Sequence, residues 1–444
     1  MKRIQFLVAG LGIILGTACN TSQKSTGGDE QNLTSQARKV ELKKNKKGYH
    51  RLFVDGEEFY IWGAGLEFGD KKSLANHGAN SFRTWRANNG QQTGQEVLDE
   101  ALANGLMVFL GLEVGRERHG NDYNDKEWVK FQKDAIKEEI LMYKDHPALL
   151  GWGIGNELNL HYTNKKVWDA VNDIAKMIHE IDGNHPATTM LAGIGKEEVD
   201  YIEANCPDID FISIQSYGGI IVLQQMIKDA GYNGPYMVTE WGATGHWEVG
   251  LTEWGAPIEQ SSSEKAAGIK ERFEKAILID SARCLGSYVF LWGQKQERTP
   301  TWYGLFTENG EETEPIDVMH YFWNDNRWPL NGTPKIRMAS LNGMQAVDNI
   351  HVKAGNEITF SYSAKDPEDD KLTWRFEVMK EATDLRDGGD KEERPSAIEG
   401  LLISEVIGKV VFMSPAQSGA YRAFIYVLDG NNHAATVNIP FYVN

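Results

Sequence analysis

Eight short apolar runs, separated mainly by stretches with helical periodicity, constrain this chain more than any other feature. They are Glu58 to Ala64, Ala79 to Thr84, Leu106 to Gly111, Leu149 to Ile154, Ala187 to Leu191, Phe211 to Gln215, Tyr236 to Thr239 and Gly286 to Leu291. Among the intervening stretches, Trp128 to Tyr143, Lys166 to Ile181 and Glu264 to Arg283 repeat apolar residues at three and four positions, which gathers them on one helical face. Strand and helix in alternation is the sequence form of a parallel sheet whose strands are covered on both faces. Eight β/α units in about 290 residues is the size of a closed (β/α)8 barrel. A doubly wound sheet with a dinucleotide turn is the competing reading, but Gly63, Gly65 and Gly69 do not have the required spacing. The expected fold class is therefore α/β, a TIM barrel over residues 39–329.

From Pro329 the texture changes. Ile336 to Ala339, His351 to Val352, Glu357 to Ser363, Leu372 to Val378, Val406 to Met413, Ala420 to Leu428 and Thr436 to Val443 alternate apolar and polar residues between Gly, Asn and Asp turns. This predicts a small all-β, immunoglobulin-like sandwich over residues 330–444, acting as a spacer. Lys380 to Arg394 is expected to be a long exposed loop. Asp366, Glu368, Asp369 and Asp370 are clustered carboxylates of the kind that suits calcium, although an acidic turn between strands is the plainer reading.

The N-terminus combines Met1-Lys2-Arg3 with an apolar run from Phe6 to Leu15 that is too short for a stable membrane span. Residues 1–19 are expected to be an export signal. Its end, Gly16-Thr17-Ala18-Cys19, resembles a bacterial lipoprotein box with Gly16 in place of the usual aliphatic residue, which implies lipidation of Cys19. Residues 20–38, rich in Ser, Thr, Gly, Gln and Asn, would be a flexible tether. The expected location is the bacterial cell envelope, with membrane contact only through that anchor. Cys206 and Cys284 are the remaining cysteines, so no disulfide framework supports the fold.

Lys and Arg number 46 against 63 Asp and Glu, a formal net charge of −17. Without a basic stripe to displace counterions from phosphates, nucleic acid is excluded as a partner. Neither a phosphate-binding loop nor a Cys/His metal spacing is present, so no cofactor or resident metal is expected. The chain holds 13 Trp, 16 Tyr and 17 Phe, a large stock of flat apolar faces.

Two segments carry the chemistry. Gly151-Trp152-Gly153-Ile154-Gly155-Asn156-Glu157 is an apolar strand ending in Asn-Glu, and Tyr236-Met237-Val238-Thr239-Glu240-Trp241-Gly242 is another ending in a carboxylate. By count they are strands four and seven, and in a barrel the carboxyl ends of strands face the active-site mouth. Two carboxylates placed there are what glycosidic bond cleavage requires.

On these motifs the region from about residue 50 to 325 resembles the large clan of retaining glycoside hydrolases with acid/base and nucleophile glutamates on strands four and seven of a TIM barrel. The resemblance implies Glu157 as general acid/base, Glu240 as nucleophile and Asn156 as the residue that bonds the sugar 2-hydroxyl. It further implies that Arg83, in Asn80-Ser81-Phe82-Arg83, holds the nucleophile ionised, that Tyr217 contacts it, and that Trp292 forms the stacking floor. Retention would set the two carboxyl groups roughly 5 to 5.5 Å apart. Trp85, Trp241, Trp247 and Trp302 are candidate sugar platforms, because pyranose CH groups pack on aromatic faces. His246 and Glu248 are possible subsite residues, and Glu113 is a third strand-end acid.

The combination of signal, barrel and trailing sandwich resembles exported endo-β-1,3-glucanases of bacterial polysaccharide-utilisation systems. It implies a monomer acting on a polysaccharide or oligosaccharide, with β-1,3-glucan first and β-mannan or β-galactan next. Transglycosylation and a non-catalytic glycan-binding role are the alternatives.

Overall fold

A computed structural model describes residues 37–444. The signal, Cys19 and the tether up to residue 36 lie outside the described residues. Among the described residues no helix is long and apolar enough to cross a membrane.

The chain begins with a small antiparallel sheet, β1 (Val40–Lys44), β2 (His50–Val54) and β3 (Glu57–Phe59). The sequence reading missed it and merged β3 with the next strand. The break falls at Tyr60, where the apolar run stops being an edge and enters the barrel. Val40, Leu52 and Val54 of this sheet pack with Phe109, Met190, Met237 and Tyr288 of the barrel strands, in one buried cluster.

Eight parallel strands then close into a barrel: β4 (Ile61–Gly65), β5 (Ser81–Arg83), β6 (Met107–Leu112), β7 (Leu149–Asn156), β8 (Ala187–Ala192), β9 (Phe211–Gln215), β10 (Tyr236–Trp241) and β11 (Cys284–Val289). They pair in sequence order, with β11 returning to β4, as the alternation predicted. Around them run α1 (Lys71–Asn76), α2 (Gly94–Ala103), α3 (Lys126–Tyr143), α4 (Lys166–Ile181), α5 (Lys196–Asn205), α6 (Leu223–Ala230), α7 (Ser262–Arg272) and α8 (Glu314–Trp323). The predicted helix from Glu264 to Arg283 is shorter than expected. Its regular part ends at Arg272 and continues as a wider turn over Phe273–Ile277 and a tighter one over Leu278–Asp280.

The C-terminal part is two four-stranded sheets. One contains β12 (Lys335–Leu341), β14 (Glu357–Lys365), β17 (Lys409–Met413) and β16 (Leu402–Val406); the other contains β13 (His351–Val352), β19 (Ala434–Val443), β18 (Gly419–Leu428) and β15 (Thr373–Lys380). The strand expected from Val406 to Met413 is β17 preceded by the hairpin turn, Ile407 and Gly408, that joins it to β16. Gly408, with φ of +81°, supplies the left-handed residue that the reversal needs. Facing side chains such as Phe360, Phe412, Ile425 and Phe441 form a core separate from that of the barrel.

Barrel and sheets are joined by a buried polar cluster. Glu259 accepts hydrogen bonds from Lys265 Nζ at 2.5 Å, Thr299 Oγ1 at 2.5 Å, Thr301 Oγ1 at 2.8 Å and, from β19, Asn438 Nδ2 at 2.6 Å.

Candidate active site

Strand β7 is buried along its whole length, and Glu157 is the first residue beyond it. Its backbone has φ of +51°, a left-handed conformation uncommon for a branched or long side chain and concentrated at functional sites. The side chain is half-buried at the barrel mouth. Burial first, and the charge of Glu240 second, push its pKa up to about 7, while Arg118, Arg116 and Arg83 oppose the rise.

Glu240 projects from β10 and is 5% exposed. Its Oε1 accepts from Trp85 Nε1 at 2.8 Å and lies 3.3 Å from Arg83 Nη2; its Oε2 accepts from Tyr217 Oη at 2.9 Å. Arg83 is fully buried at the end of β5 and also donates through Nη2 to Asn156 Oδ1 at 2.7 Å and through Nη1 to the Thr239 carbonyl at 3.3 Å. Its guanidinium stands 4.7 Å from the centre of the Trp85 ring. The predicted set Glu157, Glu240, Asn156, Arg83, Tyr217 and Trp85 is thus gathered in one place.

Asn156 is oriented by two donors on the same oxygen. Arg83 and Gln215 Nε2, the latter also at 2.7 Å, both donate to Oδ1. Arg83 has no acceptor to offer, so the amide must present its oxygen inward. Nδ2 is left to donate elsewhere. Gln215 was not singled out from the sequence, although its place at the end of a barrel strand was the available signal.

The predicted aromatic platforms divide sharply. Trp247 is 59% exposed and meets Tyr217, the hydrogen-bond partner of Glu240, edge-on with ring centres 5.6 Å apart. Trp241, Trp302 and Trp292 are corrections. Trp241 follows Glu240 on a strand, where successive side chains take opposite faces; with Glu240 facing the mouth, Trp241 turns to the helix layer and stacks on Phe273 at 5.4 Å. Trp302 is buried and donates Nε1 to the Thr244 carbonyl at 2.9 Å. Trp292 is buried under α8 against Trp323 and Phe306, and cannot floor a sugar site. The aromatic at the mouth on this side is Phe290, which packs edge-on against Trp85 and Tyr217.

Glu248 accepts the backbone amides of Gly218, Gly219 and Gly245, each at 2.7 Å. It pins two loops to each other. His246 is enclosed by Trp247, Trp302 and Tyr303, and burial together with Arg298 drives its pKa down to about 4. It is a neutral ring at neutral pH. Glu113 is exposed. Glu297, which the sequence reading passed over, is buried 2.9 Å from Lys295, and burial holds its carboxyl above the usual range.

The segment from Lys380 to Arg394 is a long loop, more than half of it exposed as expected, but it is tied to the barrel at several points. Glu392 is buried and accepts from Arg298 through the backbone amide at 2.5 Å and Nη1 at 2.6 Å. Asp390 meets Arg118 Nη2 at 3.3 Å and His119 Nε2 at 2.8 Å, and Lys295 Nζ donates to the Gly389 carbonyl at 2.6 Å. Charged residues of this loop found partners on the barrel, which is why a run that reads as solvated is tied back to it.

Residues 68–283 match the family model described as glycosyl hydrolases family 2, TIM barrel domain. The comparison with curated proteins found no match. A β-D-glucuronidase of Dictyoglomus thermophilum is similar at a TM-score of 0.50 and 16% identity, over 65% of this chain and 53% of that one. A structure described as a putative β-galactosidase from Bacteroides fragilis gives 0.48 and 14%, over 92% and 58% respectively. A β-glucuronidase of Bacteroides uniformis gives 0.49 and 12%, over 91% and 48%. This chain therefore spans about half the length of the solved structures it resembles, and at such identities the likeness is one of fold. The family match thus falls on barrel strands β5 to β10 and includes both Glu157 and Glu240.

Proposed function

We propose that this protein is a retaining β-glycoside hydrolase that works by double displacement, with Glu240 as nucleophile and Glu157 as acid/base. The observation that carries the reading is the asymmetry of the pair. One carboxylate is gripped by Arg83, Trp85 and Tyr217; the other has its pKa pushed up to about 7 by burial and by its neighbour's charge. In the first step Glu240 attacks the anomeric carbon while Glu157 gives its proton to the leaving oxygen. The glycosyl ester that forms has consumed the charge of Glu240. Glu157 then ionises more readily and acts as base on the incoming water. Nδ2 of Asn156, left free by the two donors on Oδ1, donates to the sugar 2-hydroxyl in this reading, and exposed Trp247 stacks on a neighbouring ring. Phe290 and Trp85 complete the apolar wall.

The finer reading is endo-action on β-1,3-glucan, supported by the exported, sandwich-bearing organisation of the sequence. Its test is release of reducing ends from β-1,3-glucan, mixed-linkage glucan, β-mannan and β-galactan, with aryl β-galactoside and aryl β-glucuronide alongside and Glu240→Gln as control. Cleavage of one substrate by the parent alone, with the β-anomer as first product by NMR, is the expected result. An α-anomer, or activity surviving in Glu240→Gln, would refute the mechanism. Lipidation at Cys19 is part of the proposal and is checked by fatty-acid labelling that Cys19→Ser abolishes.

A further inference from the structure

The turn after β14 and the turn after β18 bring three carboxylates together. One oxygen from each of Asp366, Asp370 and Asp429 lies within 4.8 Å of the others. Two ligands bound to one calcium ion at about 2.3–2.6 Å each can stand at most about 4.6–5.2 Å apart. The spacing is that of groups sharing a single ion.

Three further observations distinguish this cluster from an ordinary acidic turn. Asp366 and Asp429 are 2% and 5% exposed, so their charges are withdrawn from water. Asp366 uses Oδ1 to accept the amides of Glu368 and Asp370, both at 2.9 Å, while its Oδ2 is buried with no partner at all. A buried carboxylate oxygen left unpaired is costly, and native structures rarely keep one without an ion or water to fill the gap. Finally, among the described residues no Lys or Arg pairs with any of the three. The one ion partner of Asp429 is His433 at 2.8 Å, and the nearby Lys365 reaches Asp369 instead. Neutral donors complete the surroundings: Asn431 Nδ2 bonds Asp370 at 2.7 Å, and Asn331 Nδ2 bonds Asp429 at 3.3 Å.

We propose that Asp366, Asp370 and Asp429 bind one calcium ion that clamps the sandwich to the barrel. All-oxygen, carboxylate-rich donors suit a hard divalent cation, and the three carboxylates have only His433 as an ion partner among the described residues. The clamping follows from where the second turn goes. The Glu312 amide donates to the Asn432 carbonyl at 2.8 Å, and the Ala434 amide returns to the Glu312 carbonyl at 2.7 Å. The Glu312 side chain in turn holds Ser73 and His77 of the barrel's first helix, and α8 begins two residues later. Fixing the loop 429–433 therefore fixes the strip on which the barrel's last helix starts. Glu368 and Asp369, included in the acidic turn read from sequence, stay outside the cluster. Asp429 enters it from more than fifty residues downstream.

The test uses the full chain stripped with EDTA. Calorimetric titration with calcium chloride should show one saturable site per chain, and Tm should rise by about 3–5 °C at a hundredfold excess over Kd. Asp366→Asn and Asp370→Asn should each lose at least tenfold in affinity. Asp370 is half-buried, so the second variant keeps its fold, verified by far-UV circular dichroism, if the first does not. In the metal-free state Asp370→Asn should be no less stable than the parent, because it relieves like-charge repulsion. No saturable heat with no change in Tm would overturn the proposal, as would undiminished binding in the folded variants. Equal affinity for magnesium at the same site would overturn the choice of ion.

Discussion

The most demanding prediction concerns the pKa of Glu157. At the separation that double displacement needs, about 5 Å, and an effective dielectric of about 20, two carboxylate charges repel by about 3 kcal/mol. At about 1.4 kcal/mol per unit, this is about 2 pKa units. Burial is the larger cause of the rise and stays in place, while the three arginines continue to oppose it. Removing the charge of Glu240 should therefore lower the Glu157 titration by about 2 units from its value of about 7. Two perturbations remove that charge without emptying the site: Glu240→Gln, and the parent enzyme trapped as its 2-deoxy-2-fluoroglycosyl ester. The assay is carbon-13 NMR of carboxyl-labelled glutamate across the pH range, with Glu157→Gln identifying the resonance. The sign is set by the chemistry. The first step needs the proton, so kcat/KM of the parent should fall as pH rises through about 7. The second step needs the base, which the lowered value supplies at the same pH. A midpoint unchanged in both charge-neutralised forms would refute the reasoning, because the elevation would then owe nothing to the nucleophile.

Asn156→Ala should reduce kcat/KM by about 10- to 150-fold on an aryl glycoside, the worth of a hydrogen bond of about 1.5–3 kcal/mol at the transition state. On the matching 2-deoxy glycoside the variant and parent should be alike. Trp247→Ala should raise KM for oligosaccharides while leaving kcat on a small aryl glycoside near that of the parent, as steady-state kinetics on the two substrates will show. Lys265→Met leaves Glu259 charged in the interior and should cost about 3–5 kcal/mol, whereas Glu259→Leu combined with Lys265→Met should recover much of the loss, as read from urea unfolding. Glu392→Gln weakens the tie between the sandwich loop and Arg298; cleavage within residues 381–399 by limited proteolysis should accelerate while the barrel's circular dichroism is unchanged.

The barrel was legible because its signal is local. A strand covered on both faces must be apolar throughout, and a helix on a barrel must carry one apolar stripe, so order and number can be counted along the chain. The same logic placed Glu157 and Glu240, since the last residue of a parallel strand has few directions to point. Local signals failed where burial depends on distant partners. β1 to β3 have little apolar character of their own and become a sheet by covering the barrel's lower end. Trp292 reads as the end of a strand and Trp302 as part of a loop, and only α8 and the Thr244 carbonyl decide that they are interior. The sandwich loop reads as solvated because its charges are abundant, and the partners that bury Glu392 are nearly a hundred residues away.

What the sequence by itself determined is the barrel, its strand order and the pair of strand-end glutamates, because period and position along a strand fix which face a side chain takes. Only the tertiary structure decided which aromatics face the mouth, that the sandwich ties a loop to the barrel, and that Asp429 joins Asp366 and Asp370. Each of these depends on side chains far apart in sequence sharing one volume, and no local pattern of residues encodes such a coincidence.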